Sequence, residues 1–468
     1  MAIVFRRACL TMFVLLLACG CTLAPQYERP SPVVPEDWNG GGDVSSQPGS
    51  QALDWRQIVA DEAMSQLIEL ALENNRELRV AVLRIERARA QYGITRAGQF
   101  PHIDAEAKSD MARTPEFLSS TGDAYTSHEY SVGVGISSFE LDLFGRVRSL
   151  KERALETYLS TDAAARSVQL SLVAEVGQAY MTLAANRELL ALSQEIFETE
   201  QASYKMVSER YEHGVATEVD VARARISVET ARLDVARYSG RVIEAENALV
   251  LLLGMPLVSG LAPARALTEI QPLAEVPVGL PSEVLTRRPD VVSAEHALKA
   301  ANANIGAARA KYFPRIDLTA SLGSASVDMD ELFRSGARTW TFVPRATLPL
   351  FHGGAIRAGV ESAVVDRDIC VAQYEDAVQT AFREVSDALA RGSALTAQVR
   401  AQSSLVKATG REYALASRRY ENGLDSSLDK LDAQRSYATS RQNLIGLSLA
   451  ARANRLTLFK VLGGGWSG

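Results

Sequence analysis

The chain is written twice. Arg210, Tyr211, Glu212, His213 and Gly214 recur as Arg419, Tyr420, Glu421, Asn422 and Gly423, an offset of 209 positions. The same offset carries Asp220 onto Asp429, and Leu253-Gly254 onto Leu462-Gly463. Earlier in each half, Phe100-Pro101-His102-Ile103-Asp104 returns as Phe313-Pro314-Arg315-Ile316-Asp317. Solenoid units repeat every ~20–50 residues, so a period of about 200 marks a duplicated half-domain instead. Each half must then have one shape and one task.

Each half also changes period in the same order. From residue 53 to 99 the apolar positions follow helical spacing, with Leu67, Ile68, Leu70, Ala71 and Leu72 and then Leu78, Val82 and Ile85. After Pro101 the period becomes two. Ile103, Ala105 and Ala107 alternate with acids and a lysine, and Tyr130, Val132, Val134 and Ile136 alternate with serines and glycines. Strands are expected at about 101–112 and 129–141, and again at about 314–324 and 338–350, where Leu318, Leu322, Trp340 and Phe342 mark the apolar face. Proline-free runs follow, predicting long helices at about 146–213 and 355–422, each of about 100 Å at ~1.5 Å per residue. The expected seam is heptadic: Val176, Leu183, Leu190, Phe197, Tyr204 and Tyr211, then Val385, Gly392, Val399, Val406, Tyr413 and Tyr420. Gly214 and Gly423 end these helices, and Thr217 and Ser426 can cap the returning ones. The expected organisation is a first repeat at 53–254, a proline-rich linker at 255–286, a second repeat at 287–463 and a short tail at 464–468.

Four strands with one apolar face have no second sheet in the chain to cover that face. Strands of ~9–11 residues match the thickness of a bilayer. Lipid tolerates no open sheet edge, so such strands must close into a barrel. Membrane barrels begin near eight strands, so this chain must borrow strands from copies of itself. A three-fold ring gives twelve strands and twelve helical columns; a dimer gives eight strands. The longest apolar stretch after residue 21 runs over 248–258 and contains Pro256, well short of the ~20 residues of a membrane helix.

Residues 1–20 have the form of a targeting segment, with Arg6 and Arg7 before an apolar run over 10–17. Small residues then lead to Cys19 and Cys21, in a pattern that resembles a bacterial lipoprotein signal. Either cysteine is a candidate for acylation, and an ordinary cleaved signal peptide is the alternative. Thr22, in place of Asp, favours transfer to the outer membrane by the same resemblance. Residues 21–52, with five prolines and Gly40-Gly41-Gly42, form an extended tether. Only Cys370 remains beyond them, so no intrachain disulfide is expected.

Several segments together resemble the TolC-type outer-membrane efflux channels, in the lipoprotein branch that serves resistance-nodulation-division pumps. They are Cys21 to Tyr27, Trp55 with Leu67-Ile68 and 71–75, Leu285-Thr286-Arg287-Arg288-Pro289-Asp290-Val291 with Phe313-Pro314, and the two Arg-Tyr-Glu-x-Gly turns. The resemblance runs from Cys21 to Gly465 and favours Cys21 over Cys19 as the lipidated residue. It implies a homotrimer with an outer-membrane β-barrel, a periplasmic α-helical barrel and an equatorial belt. It also implies passive export of small molecules delivered by an inner-membrane pump and a periplasmic adaptor (membrane fusion protein), with no bond chemistry and no cofactor.

The resemblance places a periplasmic gate at Leu428, Asp429 and Asp432, with Asp220 as the first-half counterpart of Asp429. A three-fold ring of carboxylates repels itself, raises its own pKa values or binds a cation. The residues alone support another role equally: acids in a first helical turn favour the macrodipole. Gly214, Val215, Thr217, Gly423, Leu424 and Ser426 would be the adaptor-contacting tips, although glycine by itself explains a helix reversal. Arg210 and Arg419 are candidates to pair with acids across helices and latch a closed state; surface arginines more commonly form weak pairs. Arg288-Pro289-Asp290 suits the start of a helix.

Catalytic and metal sets are missing from the sequence. His102, His128, His213, His296 and His352 have no ligand spacing. Gly463-Gly464-Gly465 follows a helix, so it is no phosphate cradle. A net charge of −6 with both signs scattered gives no sign of a nucleic-acid partner. Two alternatives stand beside the efflux duct: a type I protein-secretion duct of the same fold, and a lipid-anchored coiled-coil tether that conducts nothing. A tether needs no bore, which counts against the last.

Overall fold

The computed structural model describes residues 22–464, apart from 32–33, 36–37, 39–53, 121, 258–259, 262–265, 276–277 and 279–280. In chain order the helices are α1 (Trp55–Ile58), α2 (Glu62–Asn74), α3 (Arg76–Ala97), α4 (Arg146–Glu212), α5 (Glu218–Leu253), α6 (Pro281–Arg287), α7 (Pro289–Ala310), α8 (Ala355–Glu421) and α9 (Ser427–Val461). The strands are β1 (Asp104–Thr114), β2 (Tyr125–Glu140), β3 (Arg315–Ser326) and β4 (Arg338–Thr347). The fold is mainly helical with one small sheet. The chain divides into two compact units.

The first unit holds residues 85–161 and 293–374 with the N-terminal segment up to 31. Its sheet has the order β1-β2-β3-β4, antiparallel throughout. Directly paired residues share a face. Register therefore aligns Ala105, Val134, Leu322 and Trp340 in one row, and Ile136, Ala320 and Phe342 in the next. The opposite face carries Asp104, Gly135, Ser321 and Thr341, with the last two hydroxyls 2.6 Å apart. Neither face is covered: Trp340 is 73% and Leu322 62% exposed on one, and Ser321 and Thr341 are exposed on the other. The central β2–β3 pairing joins the two halves of the chain, and glycine permits it. A methyl group at Gly133 would stand 2.9 Å from the Leu322 carbonyl oxygen, and one at Gly135 2.8 Å from that of Ala320. Between Ile136 and Phe139 the register slips by one residue, a bulge that turns the end of β2.

The N-terminal segment of this unit lies along α7. Asn302 Nδ2 donates to the Pro25 carbonyl at 2.8 Å. The Arg29 guanidinium grips the Glu295 carboxylate at 2.8 and 3.1 Å, and the Tyr27 hydroxyl donates to the same group. Burial pushes the Glu295 carboxyl up, but hydrogen bonds from Arg29 and Lys299 outweigh it and hold it below the usual range. Gly306 is needed here, because a methyl would sit 2.7 Å from the Ala24 nitrogen.

The second unit holds residues 32–84, 162–292 and 375–468. Its core packs Met64, Leu67, Ile68 and Ala71 of α2 against Val173, Val176 and Leu183 of α4, Leu249 and Leu253 of α5, and Leu456 and Phe459 of α9. Gly254, in the left-handed region at φ 68°, caps α5. Arg288, with its side chain 7% exposed, binds Asp290 and Glu384 at 2.6 and 2.7 Å and donates to the Val461 carbonyl. Burial pulls its pKa down, and the two carboxylates more than restore it. It ties the start of α7 to α8 and to the end of α9. Among the described residues no helix is long and apolar enough to cross a membrane.

Candidate functional site at the two helix reversals

Both reversals lie in the second unit, and their backbones turn alike. Gly214 and Gly423 adopt φ 73° and 72°, open to glycine at little cost. Each returning helix then begins with a reciprocal cap. Thr217 Oγ1 accepts from the Asp220 amide at 3.3 Å, and Asp220 Oδ2 accepts from the Thr217 amide at 3.0 Å. Ser426 and Asp429 do the same at 3.3 and 3.2 Å. Within the chain, then, Asp220 and Asp429 act as helix-start acids. The side-chain and backbone hydrogen bonds from Thr217 hold the Asp220 carboxyl below its ordinary value.

Tips and gate candidates are solvent-facing. Val215 and Leu424 are each 66% exposed, and Leu428 is exposed beside them. Asp432 pairs with Arg435 at 3.3 Å, one turn along α9. Arg435 can therefore shield Asp432 from a neighbouring carboxylate, an offset that the sequence-based gate omits.

The two arginines find other partners than acids on a neighbouring helix. Arg419 forms a two-pronged pair with Asp425 of its own turn, at 2.7 and 2.8 Å. That pair holds the Asp425 carboxyl below the usual range. Arg210 reaches the other hairpin, but it donates to the Tyr420 hydroxyl at 2.7 Å. Lys430 joins the same contact, 5.2 Å from the Tyr420 ring centre. Ser427 Oγ donates to Asp220 Oδ1 at 3.4 Å, a second link between the hairpins. At the reversals themselves these cross-hairpin contacts are an aromatic hydroxyl and a serine, both weaker than an ion pair. Higher up, Arg441 of α9 pairs with Glu195 of α4 at 2.9 Å.

Sequence reasoning put Tyr420 on the heptad seam and Asp425 in the second turn without seeing their arginine partners, and it missed Ser427 and Lys430, although the repeat carries a signal for some of them. Where the first half has Ala216, Glu218 and Arg223, the second has Asp425, Ser427 and Asp432. The positions at which the halves differ are those that make the two turns unequal. Glu200 was also missed. It is 7% exposed on α4, its Oε2 has no hydrogen-bond partner among the described residues, and burial raises its pKa against the pull of Lys430 and Arg435. Cys19 and Cys21 lie outside the described residues. Among the described residues no cluster of His, Cys, Asp and Glu could hold a metal ion.

Comparison with known proteins gives these turns a context. A family model described as outer membrane efflux protein matches residues 67–255 and 280–464. The probable efflux pump outer membrane protein TtgC of Pseudomonas putida is 46% identical over 451 residues, 96% of this chain and 93% of that protein. Outer membrane protein OprJ of Pseudomonas aeruginosa is 41% identical over 447 residues, with 96% and 93% covered. The solved open state of the Neisseria gonorrhoeae MtrE outer membrane channel superimposes with a TM-score of 0.87 at 38% identity, over 95% of this chain and 98% of that one.

Proposed function

Because this chain belongs to the outer membrane efflux protein family, we propose that it is the outer-membrane channel of a tripartite efflux pump. It works as a homotrimer. Three four-stranded sheets close into a twelve-stranded barrel, and twelve helical columns continue the bore into the periplasm. Small molecules pass from an inner-membrane pump and a periplasmic adaptor to the exterior, without bond chemistry. Relatives are named for toluene and antibiotic efflux, so organic compounds of that kind are the proposed cargo. Acylation at Cys21, with Cys19 as the alternative, anchors the chain to the outer membrane. The segment beyond it, gripped by Glu295 and Asn302, leads away from that anchor. The halves 53–254 and 287–463 act as paired repeats, and 255–286 forms the belt between them.

One observation carries this reading. The row Ala105, Val134, Leu322 and Trp340 shares one apolar, exposed face, while the row on the opposite face includes Ser321 and Thr341. In water such a face is a liability, whereas against lipid it is the requirement. The outer sides of β1 and β4 are the edges that sister strands would complete. At the periplasmic mouth, Leu428, Asp429 and Asp432 form the constriction, and Gly214, Val215, Thr217, Gly423, Leu424 and Ser426 meet the adaptor. The Arg210–Tyr420 contact is the latch between hairpins, with Arg419 stiffening its own turn.

The two faces give the test. Leu322→Arg puts a charge against lipid at a cost of about 2–4 kcal/mol near the midplane, and should sharply reduce trimers recovered from the membrane fraction. Ser321→Arg, one residue away on the polar face, should insert like the parent. Equal recovery of the two variants would contradict the assignment of faces.

A further inference from the structure

A groove of about 760 Å³ opens in the second unit between the linker and the α8–α9 pair. Its volume is that of a small-molecule site, for which ~300–1,000 Å³ is usual. Leu267, Leu273, Leu389 and Leu458 supply an apolar wall, and Thr268, Ser393 and Ser448 supply hydroxyls. Arg452 and Arg455, one turn apart on α9, enter from the same side. Their Nη1 atoms donate to the linker carbonyls of Ile270 and Leu273 at 2.8 and 3.0 Å.

These two arginines differ from three partly buried arginines of the same unit. Arg187, Arg288 and Arg441 each meet a carboxylate within 2.9 Å. Among the described residues, Arg452 and Arg455 meet none. Glu275 also lines the groove, and Glu188 exerts a favourable field on Arg452, but neither forms an ion pair with them. Arg452 is half-buried, and its pKa is lowered by that burial and by the like charge of Arg455. For half-buried Arg452 a single carbonyl hydrogen bond repays only part of the lost hydration, and the exposed Arg455 adds a like charge beside it. The guanidinium fork suits planar or tetrahedral oxyanions, and one carbonyl bond apiece leaves further donors available.

We infer that this groove binds a small organic anion, a carboxylate or phosphate head on an apolar body, with Arg452 and Arg455 holding the head and the leucine wall holding the body. The site is separate from the reversals and does not depend on the channel reading.

The test uses the full chain purified in a neutral detergent and three probes followed by fluorescence anisotropy: 1-naphthoate, 1-naphthyl phosphate and the neutral 1-naphthalenemethanol. At least one anionic probe should bind, and whichever binds more tightly identifies the preferred head. The double variant Arg452→Gln/Arg455→Gln should weaken that binding at least tenfold without changing uptake of the neutral probe. Arg452→Lys/Arg455→Lys should retain most of it. Thr396→Phe keeps both arginines but fills the groove from an exposed position on α8, so it separates loss of the site from loss of the linker contacts, and it too should abolish binding. Anion affinity unchanged in the Gln double variant, or in Thr396→Phe, would overturn the proposal, as would the absence of anion binding to the parent.

Discussion

The upper and lower parts of α4 belong to one helix but are held in place differently. Over 170–192 it is enclosed by α2, α5 and α9, and Val173, Val176, Leu183 and Leu192 are buried among apolar neighbours. Below that, toward the reversal, the buried positions are Ser193, Glu200 and Val207. Ser193 Oγ, Glu200 Oε2 and Ser208 Oγ have no hydrogen-bond partner among the described residues, and neither do Ser417 Oγ and Gln434 Oε1 on the facing hairpin. An apolar seam gains from every contact it makes. A polar seam with unsatisfied groups gives back much of that gain, since each buried unpaired group costs about 1–3 kcal/mol. The upper segment therefore fixes the helix, and the lower one is left near the low-stability end, where moving elements are found.

Mutations should expose the contrast. Leu183→Ala, at a fully buried upper position, should cost about 2–5 kcal/mol in the thermal melt of the helical signal. Tyr211→Ala, on the same expected heptad but 45% exposed, should cost no more than ~0.5 kcal/mol. Similar losses at both positions would erase the distinction.

Glu200 offers a finer test. Its folded pKa lies above the ordinary value because burial disfavours the charged form. The folded chain therefore holds a proton that the unfolded chain releases. Stability falls as pH rises from the unfolded value through the folded one. Glu200→Gln removes this dependence, so it should raise the melting temperature in neutral and alkaline buffer, with the gain shrinking as acid protonates the parent. A pH-independent effect, or a loss of stability above neutrality, would show that the carboxylate is paired.

The smallest structural change is expected from Asp429→Asn with Asp432→Asn. Asn at position 429 retains an acceptor for the Ser426 cap, so the helix start should survive while the charge is lost. Single-channel conductance should rise if these carboxylates narrow the mouth. An unchanged conductance would leave Asp429 as a helix cap and Asp432 as the partner of Arg435.

Much of this was legible because periodicity is local. The alternation at Ile316, Leu318, Ala320 and Leu322 gave β3 its apolar face before any pairing was known. Proline and glycine positions fixed the long helices to within a residue, with α4 observed as Arg146–Glu212 and α8 as Ala355–Glu421. Contacts between distant segments were not legible. Nothing near Gly133 reveals that Gly323 lies opposite it, and nothing near Arg452 points to the Ile270 carbonyl. The heptad seam held at Val176, Leu183 and Val385, which are buried, but not in the lower segment, for a related reason. Hydrophobicity picked out Phe197, Tyr204 and Tyr211, but in the lower segment the buried positions are Glu200 and Val207 instead. Phe197 lies beneath the Arg232 guanidinium, 5.7 Å from its ring centre, which suits a half-exposed aromatic. Equal halves also hid unequal turns: Arg210 and Arg419 occupy matching positions, yet only the second turn has Asp425.

The central claim is that a sheet with one bare apolar face is completed by sister chains around a hollow. The most direct measurement combines the mass of the purified protein in detergent with its conductance in a planar bilayer. A mass of three chains together with discrete, long-lived conducting steps is the predicted result. A stable single chain that conducts nothing would contradict it.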